Sequence, residues 1–282
     1  MTQFASARVF PASGTAGVAT NWYDELFRRQ PTLTAFTFVI AAMTAPTLLA
    51  MALEVRTFNG INVWLKPFKF ELSMVVHLAT LAWFCGYIDQ AVRDGRAVRL
   101  MAWVIGLIFV AELTYIAYRA GYVEGSHYNT STRAAAIAYP IMGSAILLVM
   151  VLTVWVGVLV FRSTEGGISS TLRLSIGLGL IAGSILGGFT GAYMSSHTGH
   201  WVGGAATDAG GVSLFGWSRR TGDLRVAHFI GLHAIQGIPI VGYFAQHVRS
   251  GRAVVWASVA IWTALTAFTL FQAIQARPFL PL

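Results

Sequence analysis

Seven stretches of about twenty apolar residues constrain this chain more than anything else, lying near 32–53, 68–88, 98–119, 134–161, 172–194, 227–248 and 253–275. A helix of that length matches the hydrocarbon thickness of a bilayer, roughly 30 Å. Composition points the same way, since 56% of the residues are hydrophobic and only 11% are charged. A soluble domain carries about a quarter charged residues, enough to cover its surface with polar groups. The expected fold is therefore all-α: a polytopic transmembrane bundle of seven spans. Residues 1–31 read as a polar and interfacial N-terminal segment, 32–275 as the transmembrane domain, and 276–282 as a C-terminal tail.

The connections carry the remaining organisation. Asn21 to Gln30 reads as a short interfacial helix with Trp22, Tyr23 and Phe27 at headgroup level. Phe58 to Phe70 carries turn signals at Asn59-Gly60 and Pro67 and both lysines of the chain, and reads as an interfacial re-entry before the second span. The glycine-rich connection 195–226 is too long for a simple turn, and its two histidines and two tryptophans predict a cap folded over one end of the bundle. The opening residues lack the short apolar core of a signal peptide, so the first span is expected to be retained. The net charge of +8 sits almost entirely between the apolar runs, which suits anionic lipid headgroups and not nucleic acid. With seven spans the N-terminal side collects ten basic residues against nine, a balance that leans towards an N-terminus inside the cytoplasmic membrane of a bacterium.

Histidines carry the candidate chemistry. His127, His197, His200 and His228 map to one end of the bundle, His77 and His233 to the apolar layer, and His247 to the far end. An ionisable group in lipid requires a partner or a metal. Imidazole pairs between helices hold b-type haem in membrane bundles, whereas structural zinc favours cysteines or tighter histidine motifs. Cys85 is the single cysteine and no Cys-x-x-Cys-His occurs, which excludes an intramolecular disulfide and covalent haem attachment. His233 and His247 are fourteen residues apart, roughly 21 Å along a helix and about 40° short of whole turns, so on one helix both would look to nearly the same side. His247 then reads either as the ligand of a second haem or as an interfacial histidine.

Other residues have two readings each. Gly179, Gly183, Gly187 and Gly191 form a stripe at four-residue spacing, suited to close helix packing or to a porphyrin laid against Gly183 and Gly187. Glu112 and Tyr115 form either part of a structural network with Arg119 or a proton-transfer pair. Arg119, Arg225 and Lys69 suit haem propionates or lipid phosphates.

The segments ELTYIAYRAGYVEGSHYN (112–129), GDLRVAHFIGLHAIQGIP (222–239) and NVWLKPFKFELS (62–73) resemble those of a little-characterised family of bacterial seven-helix inner-membrane proteins, the trimeric haem-containing integral membrane oxidoreductases. The resemblance spans most of the chain. It implies a trimer binding several haems, with an additional copper, and its matching positions are Glu112, His127, His228 and His233. The expected function is a haem b oxidoreductase that exchanges electrons with quinone or a small redox partner, with His77, His127, His228 and His233 as metal ligands. Two alternatives stay open: a proton or metal-ion transporter using Glu112, His77 and His233, and a metal-dependent membrane hydrolase or hydroxylase. A retinal protein is disfavoured because Lys66 and Lys69 lie at an interface, not deep in a span.

Overall fold

The computed structural model describes residues 21–165 and 167–281, so most of the expected polar N-terminal segment falls outside the described residues. Helix α1 (Trp22–Arg29) starts where the Asn21 side chain accepts the Asp24 N–H at 3.1 Å. It ends in Arg28 and Arg29, both paired with Glu25. Arg29 is buried, donates to Trp83 O at 2.8 Å and lies 4.2 Å from the Trp83 ring, which staples α1 to the main bundle.

Among the described residues, seven helices are long and apolar enough to cross a membrane: α2 (Pro31–Leu53), α3 (Leu65–Cys85), α5 (Arg96–Gly121), α6 (Arg133–Arg162), α7 (Ser170–Ser195), α8 (Leu224–Ala245) and α9 (Gly251–Ile274). A one-turn α4 (Gln90–Arg93) sits between α3 and α5. The chain is a multi-pass membrane protein with an all-α fold. Its surface is correspondingly apolar, with Leu53 76% exposed and Val151 64% exposed towards the place of lipid.

Helices α2, α3 and α5 pack together with α1 beside them, and α6, α7, α8 and α9 pack on one another in chain order. The two groups touch only sparsely, through α6 against α3 and α5. A seam therefore runs between the half-bundles.

One end of this seam is closed by loops. Strands β1 (Thr57–Phe58) and β2 (Ile61–Asn62) form a hairpin whose two turn residues, Asn59 and Gly60, both have positive φ, as a two-residue hairpin of this twist requires. The cap is pinned by β3 (Trp201–Val202) pairing with β4 (Gly222–Asp223), and Asn59 O accepts the Asp208 N–H at 2.8 Å, joining the hairpin to the cap.

The helix boundaries differ from the sequence reading most at α3 and α8, which both begin three residues earlier than expected. The added turns contain Lys66 and Arg225, which interrupt the apolar pattern. The structure gives the cations at these helix starts partners, Lys66 with His127 Nδ1 at 3.3 Å and the others with the cap. Phe215 O accepts from Lys69 at 3.0 Å, and Arg225 pairs with Asp208 and Asp223 at 2.7 and 2.6 Å.

Candidate functional site

Helices α3 and α8 run in the same direction and in axial register. The cap loop meets the first turn of both, because Phe215 O accepts from Lys69 and Gly216 O accepts from Arg225 at 2.7 Å. Eleven residues further along each helix, Gln236 Nε2 donates to Thr80 Oγ1 at 3.2 Å. His77 and His233 occupy equivalent positions between these two rungs, each eight residues past its cation and three before its bridging residue. The two helices are joined here by long side chains and do not pack backbone against backbone. The equal offsets put the two histidines at similar depth along their helices.

Both histidines of α8 are held by their Nδ1 atoms. His233 Nδ1–H donates to Phe229 O at 2.8 Å, and His228 Nδ1–H donates to Gly187 O at 3.0 Å, with Thr190 Oγ1 also within 3.3 Å. Only an N–H can bond a carbonyl, so each Nε2 is left as a bare lone pair. Neither Nε2 has a partner among the described residues. Second-nitrogen anchoring of this kind fixes the tautomer and orientation of a metal-ligating histidine. Phe229 stacks on His233 at 3.9 Å and holds the ring against α8.

His77 differs. Thr153 donates its hydroxyl to Val149 O at 2.9 Å and so accepts from His77 Nε2 at 3.2 Å, which leaves the Nδ1 lone pair of His77 bare. Phe109 lies edge-on at 5.6 Å.

Towards the cap the seam becomes polar and aromatic. Lys66 Nζ donates to His127 Nδ1 at 3.3 Å, and the His127 ring lies 5.6 Å from Phe70 and 5.5 Å from Tyr139. Burial pushes His127 well below its ordinary range, and the Lys66 charge adds to that. Tyr139 meets Tyr128, and Tyr128 faces His200, which packs on Trp201 at 3.7 Å. His200 Nε2 lies 3.2 Å from Asp208 Oδ1. Burial lowers His200, and outweighs the Asp208 contact that favours its charged form. Burial works against the charge of Asp208, yet His200 and Arg225 together hold that carboxyl below its ordinary value.

Glu112 is 4% exposed and its Oε1 has no partner, and it lies within Coulombic range of Lys66. Glu71 Oε2, the Tyr115 hydroxyl and Trp201 Nε1 are likewise buried without a partner. Buried polar groups are satisfied in the great majority of cases, so four orphans towards one end of a bundle mark a place built for something else.

The structure does not gather all the expected residues. His197 is exposed at the end of α7 and donates from Nδ1 to Tyr193 O at 2.8 Å. His247 is also exposed, and α8 ends at Ala245, so His247 lies beyond the helix and the fourteen-residue spacing does not place it on the side of His233. Arg119 pairs with Glu124 at 2.6 Å and reaches over the Tyr115 ring.

The glycine stripe of α7 is taken up by α8. A Cβ at Gly183 would meet the backbone of Ile235, one at Gly187 the side chain of Leu232, and one at Gly191 the ring of His228. The stripe is a helix-packing surface and presents no face to a porphyrin. Its contribution to the site is indirect, through the carbonyl of Gly187 and the close approach of α7 to His228.

Lys66, Tyr128, Tyr139, Trp201, Asp208 and Gln236 did not stand out in the sequence. A signal for part of this set exists there, since Lys69-x7-His77-x2-Thr80 recurs as Arg225-x7-His233-x2-Gln236. Among the described residues no group of three or more His, Cys, Asp or Glu side chains is arranged to hold a metal ion. No protein-family model matches the chain, and neither a curated protein nor a solved structure matches it.

Proposed function

We propose that this chain is an oxidoreductase of the bacterial cytoplasmic membrane that holds b-type haem through buried histidines and exchanges electrons with quinone or a small redox partner. The observation that carries this reading is the pair of unpartnered Nε2 lone pairs on α8, each fixed by an Nδ1–H bond to a backbone carbonyl. His233 and His228 are the ligand residues, and His77 stands level with His233 across the seam. Lys69 and Arg225 at the cap end suit the carboxylates of a porphyrin. Haem, when bound, supplies one-electron exchange at its iron. The chain orients the imidazoles, keeps water from the seam, and provides Glu112 and Tyr115 as polar groups able to hold a proton towards the cap end. A trimeric assembly and a copper ion belong to this proposal through the family resemblance, with Glu112 and His127 as the positions that match.

The test is the visible spectrum of protein purified in mild detergent, oxidised and then reduced with dithionite. A stoichiometric Soret band that sharpens on reduction, with resolved α and β bands, supports the proposal. Folded protein that stays colourless after growth with iron and porphyrin precursor contradicts it.

A second reading is a proton or metal-ion path through the seam. The unpartnered Glu112 carboxylate beside Lys66 favours it, because transport pathways keep such groups in the bundle interior. It predicts a colourless protein whose liposomes leak protons only when Glu112 is intact.

A further inference from the structure

The end of the bundle opposite the cap carries a cavity that the redox reading does not use. It measures about 340 Å³ and is lined by Phe161 near the end of α6, Ile168 in the following turn, Ser170, Arg173 and Leu174 at the start of α7, and Arg252 at the start of α9. That volume is in the range of small-molecule sites. Two guanidinium groups dominate its chemistry. Arg173 gives one N–H to Glu165 O at 3.1 Å, and Arg252 makes no hydrogen bond or ion pair with any described residue.

The carboxylates of this end are already engaged. Asp89 accepts the Ser163 hydroxyl at 2.6 Å and the N–H groups of Thr164 and Glu165 at 2.9 and 2.7 Å, and Glu165 accepts the Gln90 N–H at 2.9 Å. These bonds direct Asp89 to the α6–α7 turn and hold it in its charged form, below the ordinary carboxyl range, with a smaller contribution from the Arg173 charge. The cavity lining itself holds two arginines and no carboxylate, so it is cationic.

Apolar side chains continue from it along two helices. Leu174, Leu178 and Ala182 recur every fourth residue along one stripe of α7, and Val255, Val259 and Trp262 lie on the face of α9 that carries Arg252. These side chains and Phe161 pack around Ala234 and Ile238 of α8 as an apolar cluster apart from the main core. Leu178, Ala182, Val259 and Trp262 are only partly buried, so the edge of this cluster leaves apolar surface below the arginines.

We propose that this cavity binds the phosphate headgroup of an anionic phospholipid, with Arg173 and Arg252 on the phosphate oxygens and an acyl chain against the partly exposed apolar residues of α7 and α9. Guanidinium groups form directed, charge-assisted bonds to phosphate. The site lies where the spans end, at the depth of headgroups. Inorganic phosphate would satisfy the same arginines but leaves that apolar surface uncovered, so the surface selects the amphiphile.

The full chain in nanodiscs of phosphatidylcholine containing a minor fraction of phosphatidylglycerol supplies the test, read as lipid retained on release into native mass spectrometry. The wild type is expected to retain phosphatidylglycerol selectively. Arg173→Gln with Arg252→Gln should lower that retention about thirtyfold, from about 1 kcal/mol per arginine near a membrane surface. Arg173→Lys with Arg252→Lys should fall between, and shows that charge at an intact fold is what is read. Arg96→Gln with Arg99→Gln, basic positions of the same end outside the cavity, should retain lipid like the wild type. Millimolar inorganic phosphate should not displace the lipid. Unselective retention by the wild type, undiminished retention by the glutamine pair, or displacement by inorganic phosphate overturns the proposal.

Discussion

The two ends of the bundle handle buried polarity in opposite ways. At the end where α1 docks, buried Arg29 serves Glu25, Trp83 O and two aromatic rings, and Asp89 accepts three hydrogen bonds from the α6–α7 turn. Towards the cap end, Glu71, Glu112, Tyr115 and Trp201 each bury an unsatisfied atom. A membrane protein selected for stability alone would resemble the first end throughout, because an orphan polar group in a low-dielectric interior is costly. The contrast separates a scaffold from a working site, and the lone pairs of His228 and His233 belong to the working side of it.

Substitutions can break or sharpen that contrast. The largest expected effect is at the scaffold end: Arg29→Ala leaves the buried Glu25 carboxylate to Arg28 alone and removes the bond to Trp83 O, and should cost about 2 kcal/mol, seen as a lower denaturant midpoint in detergent. A smaller effect of opposite sign is expected at the cap end, where Glu112→Leu removes an unsatisfied group and should stabilise the fold by about 1 kcal/mol in the same measurement while impairing turnover. Destabilisation by Glu112→Leu comparable to that of Arg29→Ala would erase the distinction between the ends.

The smallest effect concerns the acid response of the cap. His200 and Asp208 both titrate below their ordinary values, so the opened cap binds more protons than the closed one. The stabilisation from His200 is complete above pH of about 6.5 and is lost as pH falls, and that from Asp208 follows below about pH 4. Protection of the amides across 196–223, taken relative to the intrinsic exchange rate at each pH, should therefore fall between pH 7.5 and 5.5, and His200→Gln should flatten this response. Protection that rises on acidification would mean that His200 is held charged.

Much of this architecture is legible from hydropathy alone, because lipid forces each span to be a continuous apolar helix. The seven spans, the α1 segment and the Asn59-Gly60 turn follow from the residues themselves. What hydropathy hides is where charge is tolerated. The starts of α3 and α8 are displaced by three residues because Lys66 and Arg225 look like loop residues until His127 partners the first and Asp208 and Asp223 the second. The end of α8 is hidden for a different reason, since no glycine or proline follows Ala245 until Gly251, and His247 reads as part of the helix although it lies outside. The glycine stripe is legible as a place of close approach, but its occupant is set by which helix lies opposite, and that is a tertiary fact. The in-register pairing of α3 with α8 could have been found from the repeated cation, histidine and bridging-residue spacing, which requires knowing that the two helices are neighbours.

The role assigned to His233 is open to one direct measurement, the number of haem equivalents per chain by pyridine haemochrome in His233→Ala and in His247→Ala, purified side by side. His233→Ala should lose at least one equivalent while remaining folded, and His247→Ala, altered at an exposed residue beyond the end of α8, should keep the wild-type count. Full haem occupancy in His233→Ala would contradict the assignment of its free Nε2 as an iron ligand.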